Sequence, residues 1–403
     1  MGKSTEPKPR RANGEGYLKF DPARSRWRGA VAWLEPDGTL ERRGFSGPTR
    51  AAVKDRMDAL RRELAAGRRP VAPQSVAEYL KGWLEAERAR VRPATWRYRD
   101  GHVRLYLIPA LGGTKLTDLQ PRDVEAMTTA MVERGLAPRT AAGCRTTLRK
   151  ALGDALRDGL VHRNVAALAR PPRVPGRDVD YLDRDELRQL LDACGGGHEG
   201  IDPQPGEQAS TPSTPDSAGP IVALAALTGL RQGEILGLAW DDVDLEAATL
   251  TVRKAMARDW NGGYSRSETK TARSRRTIHL PDRAVEWLEA RQTAQLAARE
   301  AAGADWWQDE DDLVFTDPLG RPWRGWAVSH AFHALLERAG LRSVPFHALR
   351  HSWATLALSQ GVPLKVVADN LGHASITITA AFYSGIVPEL NRDAAVAIGK
   401  ALA

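Results

Sequence analysis

A chain of 403 residues is long enough for two or three domains, each with its own buried core, and excludes a single small module. Its 42% hydrophobic and 27% charged content argues against disordered, collagen-like and coiled-coil classes, while 58 Lys plus Arg against 50 Asp plus Glu leave a formal charge of +8 that favours an anionic partner such as nucleic acid. Two cysteines, Cys144 and Cys194, cannot make a disulfide scaffold, and the longest apolar stretch, Ile221 to Leu227, is far short of the roughly 20 residues a spanning helix needs. With no apolar core after the basic Met1–Arg10 segment, a cytoplasmic protein without membrane association is expected.

Three short strand-like runs come first, at Tyr17–Phe20, Trp27–Trp33 and Leu40–Phe45, separated by Pro, Gly and Asp turns. Thr49 to Leu64 then places Ala52, Val53, Met57, Leu60 and Leu64 at helical spacing, which predicts one helix lying on a small antiparallel sheet. Arg24, Arg26, Arg28, Arg42 and Arg43 would decorate that sheet, either as a solvated basic face or as a DNA-reading surface. Residues 1–70 are thus a first domain. From Ser75 to about Arg170 the pattern is four or five amphipathic helices, with core stripes at Val76, Tyr79, Leu80, Trp83 and Leu84 and at Leu148, Ala151, Leu152, Ala155 and Leu156. This helical domain spans 71–172. The prolines of Arg170–Gly176 cannot continue a helix, so 173–182 reads as a linker. Asp183, with Glu186 three residues on, forms a capping-box start to the third domain, 183–403.

Within that domain Gly195 to Pro220, rich in Gly, Pro, Ser and Thr, reads as a mobile inserted loop. Its G-x-G-x-x-G match, Gly195, Gly197 and Gly200, has no preceding strand and no following helix, so it is read as accidental. A helical stretch broken near Gly229 follows, then strands at Thr249–Arg253 and Thr277–Leu280 joined by a polar connection, Tyr264 to Ser274. From Asp282 the pattern is helical apart from a short Leu313–Phe315 run, so the domain is mainly α with a small sheet.

Four segments of this domain carry side chains that folding alone does not explain. Thr228–Leu238 puts Arg231 at a turn with Glu234 one helical turn later, either a structural ion pair or a fork-shaped donor for a phosphate that Glu234 orients. His347 and Arg350, at i,i+3, share one face of a helix that opens after Pro345–Phe346. His347 and His351 at i,i+4 resemble half a zinc site, but Ala348 stands where a metalloprotease needs Glu, and no metal is expected. Gly372 would end the helix Leu364–Leu371 in left-handed conformation and hold His373 at its terminus, and ten residues on Tyr383 brings a hydroxyl nucleophile. Taken together, two arginines can clamp a phosphodiester and Tyr383 can attack phosphorus. A phenol with a pKa of about 10 needs a proton acceptor, for which His347 is available, and Lys270 can protonate the departing 5′ oxygen.

The order Arg231, Lys270, His347-x-x-Arg350, His373, Tyr383 resembles the tyrosine recombinase family of phage-type site-specific integrases, over about Gly14 to Pro388. The resemblance implies a mixed α/β tyrosine-recombinase catalytic domain, a helical core-binding domain and an arm-site-binding domain in the N-terminal sheet. It also implies scissile-phosphate binding by Arg231 and Arg350, general acid catalysis by Lys270, proton transfer by His347, a phosphate hydrogen bond from His373 and a 3′-phosphotyrosine link at Tyr383. Neither cofactor nor ATP is implied. The implied partners are double-stranded DNA with core-type and arm-type sites, three further copies in a homotetramer on a four-way junction, and DNA-bending or directionality proteins. The family's frequent Thr-Tyr-Ser-His appears here as Phe382-Tyr383-Ser384-Gly385. Two other readings use the same residues. A type IB topoisomerase fits the separate strand-rich N-terminal module less well, and a catalytically silent DNA-binding regulator has no need of Tyr383.

Overall fold

A computed structural model describes residues 17–34, 38–65, 74–176, 180–195, 215–268, 275–307, 311–373 and 375–380, with 399 and 402. The chain divides into two compact units, Met1–Pro175 and Gly176–Ala403.

The first unit opens with β1 (Tyr17–Asp21), β2 (Arg26–Leu34) and β3 (Leu40–Gly47), an antiparallel sheet in that order with Tyr17 opposite Ala30 and Val31 opposite Arg43. Helix α1 (Arg50–Ala65) covers one face through Val53, Met57 and Leu60, which bury Val31. Ala52, expected on this stripe, is exposed, because the buried positions repeat at 53, 57 and 60 and leave it one position off the line. Arg24, Arg26, Arg28, Arg42 and Arg43 are all exposed, and Arg42 lies 5.1 Å over the Tyr17 ring.

Ser75 starts α2 (Val76–Arg88) with a reciprocal capping box: its backbone N–H donates to Glu78 at 2.7 Å, and its hydroxyl accepts from the Glu78 N–H at 3.2 Å. Then come α3 (Pro93–His102) and α4 (Ile108–Leu111), joined by a π turn ahead of Pro109, which has no N–H to donate. The helices α5 (Pro121–Glu133), α6 (Pro138–Arg157) and α7 (Val165–Leu168) complete the bundle. Tyr79, Leu80, Trp83, Leu148, Ala151 and Leu152 fill its core as the spacing predicts, whereas Leu156 points to solvent at 42% exposure. Leu156 is in the last turn of α6, where the buried stripe ends at the neighbouring Ala155.

In the second unit the Asp183 capping box forms: its carboxylate accepts from the Glu186 N–H at 2.9 Å and its own N–H donates to Glu186 at 2.8 Å, starting α8 (Arg184–Gly195). The central helix is α9 (Pro215–Thr228), whose residues Ile221 to Ala226 are all buried against α8 and the helices that follow. The expected loop therefore ends too late: residues 215–220 belong to α9, and Pro220 lies inside it, forfeiting a single backbone hydrogen bond that the apolar packing of the helix outweighs. Gly197, Gly200 and the rest of 196–214 lie outside the described residues.

After α10 (Gln232–Leu236) come β4 (Val243–Asp244), β5 (Thr249–Val252), β6 (Lys254–Arg258), β7 (Tyr264–Glu268) and β8 (Arg276–His279). Strands β4, β5 and β8 form one antiparallel sheet, with Leu250 opposite Ile278. Tyr264–Glu268 is not a connection but a strand, paired with β6 in a two-stranded hairpin. Only Tyr264 is apolar in that strand, and its inward position Arg266 is buried in ion pairs with Asp242 and Asp311 rather than in apolar packing. The helices α11 (Asp282–Ala302), α12 (Gly325–Arg338), α13 (Ala348–Ser359), α14 (Leu364–Leu371) and α15 (Ile376–Ala380) follow. Leu313, Val314 and Phe315 are buried, and Leu313 forms a single antiparallel bridge with Ala239. Among the described residues no helix is long and apolar enough to cross a membrane.

Candidate active site

Helix α9 stops at Thr228, and the chain reverses at Gly229, whose φ of +66° is a left-handed conformation that costs an L side chain energy. A Cβ there would also lie 2.8 Å from Leu371 Cδ2 and about as close to the Trp353 ring. The reversal delivers Arg231 to the N-terminus of α10 in extended backbone. Glu234 accepts from the Arg231 backbone N–H at 3.0 Å and from Arg231 Nη1 at 2.8 Å. The Arg231 side chain is 39% exposed and that of Glu234 only 4%. The structural pair and the exposed fork are both present: one end of the guanidinium is anchored while the group stays open to solvent.

Helix α13 starts at the turn after Pro345–Phe346, with the Arg350 N–H on the His347 carbonyl. His347 is exposed, whereas Arg350, one turn in, is 2% exposed. Arg350 Nη1 donates to the Gly229 carbonyl at 2.9 Å and Nη2 to the Leu371 carbonyl at 2.5 Å. It thereby ties the Arg231 turn to the C-terminal end of α14. There Gly372 adopts φ 63°, ψ 44°, and the His373 N–H closes back on the Ala368 carbonyl at 3.0 Å, so the helix stop predicted from the sequence forms. His373 Nδ1 lies 2.7 Å from Thr379 Oγ1, whose residue is fully buried. His347 and His351 stack edge to face at 4.8 Å, and among the described residues no three His, Cys, Asp or Glu side chains gather as a metal would require.

Arg231, His347, Arg350 and His373 thus meet, and their titration reflects it. Burial first, then the Arg350 and Arg231 charges, hold His373 down to about 4 and also lower His347. Burial followed by repulsion from Arg231 lowers Arg350 to about 9. Glu234 is burdened by burial, yet hydrogen bonds and charge from Arg276, with help from Arg231, hold it at about 2. Lys270 and Tyr383 lie outside the described residues.

Sequence reasoning missed Arg276. Its side chain is 7% exposed, donates through Nη2 and Nη1 to the two Glu234 oxygens at 2.8 and 3.2 Å, and through Nε to the Asn370 carbonyl at 2.5 Å. A signal existed: strand alternation puts Arg276 on the same face as buried Ile278, between exposed neighbours.

One carboxylate surrounded by three guanidiniums is a cationic cage, open through Arg231 and His347. The profile of the phage integrase family matches residues 180–386, and that of the phage integrase N-terminal SAM-like domain matches 75–131. The chain belongs to the phage integrase family. It is a tyrosine-type site-specific recombinase. An integrase of Streptomyces ambofaciens is 30% identical over 93% of both chains. Among solved structures, the Tn1549 transposon integrase in complex with transposon right end DNA superposes with a TM-score of 0.65 at 18% identity, covering 79% of this chain and 99% of that one. A lambda integrase tetramer bound to a Holliday junction superposes with a TM-score of 0.53 at 19% identity, over 93% of this chain and 96% of that one. These two share the recombinase fold. The expected mainly helical architecture with small antiparallel sheets is the one observed.

Proposed function

We propose that this recombinase cleaves and rejoins double-stranded DNA through a 3′-phosphotyrosine at Tyr383, integrating or excising a mobile element. The convergence at Arg350 carries the reading: one buried guanidinium clips together the segments that bear Arg231 and His373. In this mechanism Arg231 and the remaining N–H groups of Arg350 hold the non-bridging oxygens of the scissile phosphate, and stabilise the charge of the pentacoordinate transition state. The Tyr383 oxygen forms a bond to phosphorus while the bond to the 5′ oxygen breaks. The phenolic proton passes to His347, which is neutral at pH 7 and so has a lone pair to accept it. Lys270 protonates the departing 5′ oxygen, and His373, oriented by Thr379, hydrogen-bonds the phosphate. Resealing is the reverse, with a 5′-hydroxyl from the partner duplex as nucleophile. No nucleotide is consumed, because the phosphodiester energy is kept in the tyrosyl ester.

In the same reading residues 71–172 form the core-binding domain, and the exposed arginines of the first sheet, within residues 1–70, contact arm-type sites. Four copies would act on a four-way junction; the fold shared with the lambda integrase tetramer on a Holliday junction supports this. Accessory DNA-bending proteins are a further expectation. The test is a duplex cut from the DNA flanking the reading frame and nicked beside the crossover. The intact chain becomes covalently attached to it, Tyr383→Phe does not, and both bind it. An intact chain that binds but never attaches would end the reading.

A further inference from the structure

We infer that Arg276 is a positioning residue of the recombinase, holding Glu234 so that Arg231 can turn its guanidinium to the scissile phosphate, and fixing the helix end that carries His373. The inference rests on the reading of Arg231 as a phosphate ligand.

Glu234 has two oxygens and two arginine partners. Arg276 occupies both oxygens in a fork-on-carboxylate geometry, and Arg231 reaches Oε1 through Nη1 alone. With its charge answered by a buried cation, the carboxylate holds Arg231 at one end only. Remove Arg276, and of the guanidiniums bonded to the buried carboxylate only that of Arg231 is left. Arg231 is then drawn onto both oxygens and away from the phosphate.

The third contact of Arg276 acts on the other side of the cage. Asn370 and Leu371 present the last carbonyls of α14, which have no partner within the helix. Arg276 takes the Asn370 carbonyl and Arg350 the Leu371 carbonyl, two residues before His373. One side chain on β8 therefore sets both the Arg231 turn and the His373 terminus. A lysine in its place could not reach two carboxylate oxygens and a carbonyl at once, because an ammonium is a point charge on a flexible stem. The fit is tight enough that a Cβ on Gly372 would come within 3.0 Å of Arg276 Nη1, so a glycine at 372 also makes room for this contact.

The experiment compares the full wild-type chain, Arg276→Gln and Arg276→Lys in single-turnover covalent attachment to the nicked duplex, with either a phosphodiester or a neutral methylphosphonate at the scissile position. A methylphosphonate lacks the anionic charge that Arg231 neutralises, so a defect transmitted through Arg231 should shrink on it, whereas a merely misfolded protein fails equally on both. We expect Arg276→Gln to slow attachment to the phosphodiester by about 100-fold, the size of losing one oxyanion donor. Arg276→Lys should recover no more than a few-fold, and the wild-type to variant ratio should fall below about tenfold on the methylphosphonate. A phosphodiester rate within threefold of wild type, or the same large ratio on both substrates, overturns the inference. If Arg276→Gln fails to fold, Arg276→Lys carries the same comparison. No attachment by the wild-type chain would overturn the functional reading, and this one with it.

Discussion

Both compact units bury carboxylates among cations, and the difference between them separates a structural ion cluster from a site built for an anion. In the helical bundle Glu87 pairs with Arg99, one for one. Asp154 is 4% exposed, accepts from Trp83 Nε1 at 2.9 Å and binds Lys150 and Arg157, the second of which also faces Asp158. There the charges balance: Arg99 reaches Glu87 from the next helix, and Lys150 and Arg157 lie one turn from Asp154 on the same helix with their heads in water. In the second unit Glu234 faces Arg231 and Arg276, with Arg350 close behind and two imidazoles held neutral beside them. Burial first, and then repulsion from Arg231, lower Arg350, and in the proposed mechanism an incoming phosphate relieves that repulsion.

Removing the cations sharpens the contrast most. Arg231→Ala should slow covalent attachment by about 10²–10³-fold while leaving the folded state intact, since its head is exposed. Asp154→Ala should leave attachment per folded molecule unchanged and instead lower stability by about 1–3 kcal/mol, because the buried Trp83 N–H loses its acceptor. Paired denaturant melts and single-turnover assays check both, and an Asp154→Ala defect in chemistry would erase the distinction.

Gly229→Ala comes next. A Cβ at φ +66° against Leu371 and Trp353 should cost about 1–3 kcal/mol and shift the Arg231 turn as well, so melting and attachment fall together. The mildest test is acid. His351 and His373 stand at about 4 in the folded chain, through burial and then through neighbouring positive groups. Between pH 4 and the ordinary histidine value of about 6.5 the unfolded chain therefore binds protons that the folded chain does not. Stability is full above about pH 6.5 and falls as pH drops towards 4. Melting temperatures across that window should show the loss, and added inorganic phosphate should lessen it by drawing the His373 pKa upward. A melt insensitive to pH there would contradict the crowding of the cage.

The sequence made the strands, the helical bundle, the Asp183 cap and the Gly372 stop legible because each is local: alternation, helical spacing and cap chemistry are written within a few residues. Arg231, His347, Arg350 and His373 were legible as candidates by their order along the chain. Arg276 was not: the strand that alternation identified begins at Thr277, and the observed one starts a residue earlier. Three other basic residues, Lys270, Arg273 and Arg275, stand just before Arg276, and its bonds to Glu234 and Asn370 come from segments distant in the sequence. The strand Tyr264–Glu268 escaped for a related reason: a buried arginine, Arg266, takes an inward position, so the strand itself carries no hydrophobic period to read. Pro220 escaped because a proline normally marks a break, and here the buried run after it overrides that rule.

The central claim is that this cage serves a tyrosyl–DNA linkage, and one measurement addresses it directly. The covalent complex formed on the nicked duplex is digested with protease and nuclease, and the adduct is sequenced by mass spectrometry. A nucleotide 3′-phosphate on the peptide at Tyr383, lost in Arg350→Ala and in Tyr383→Phe, is the predicted result. An adduct on any other side chain, or one that forms undiminished without Arg350, would contradict it.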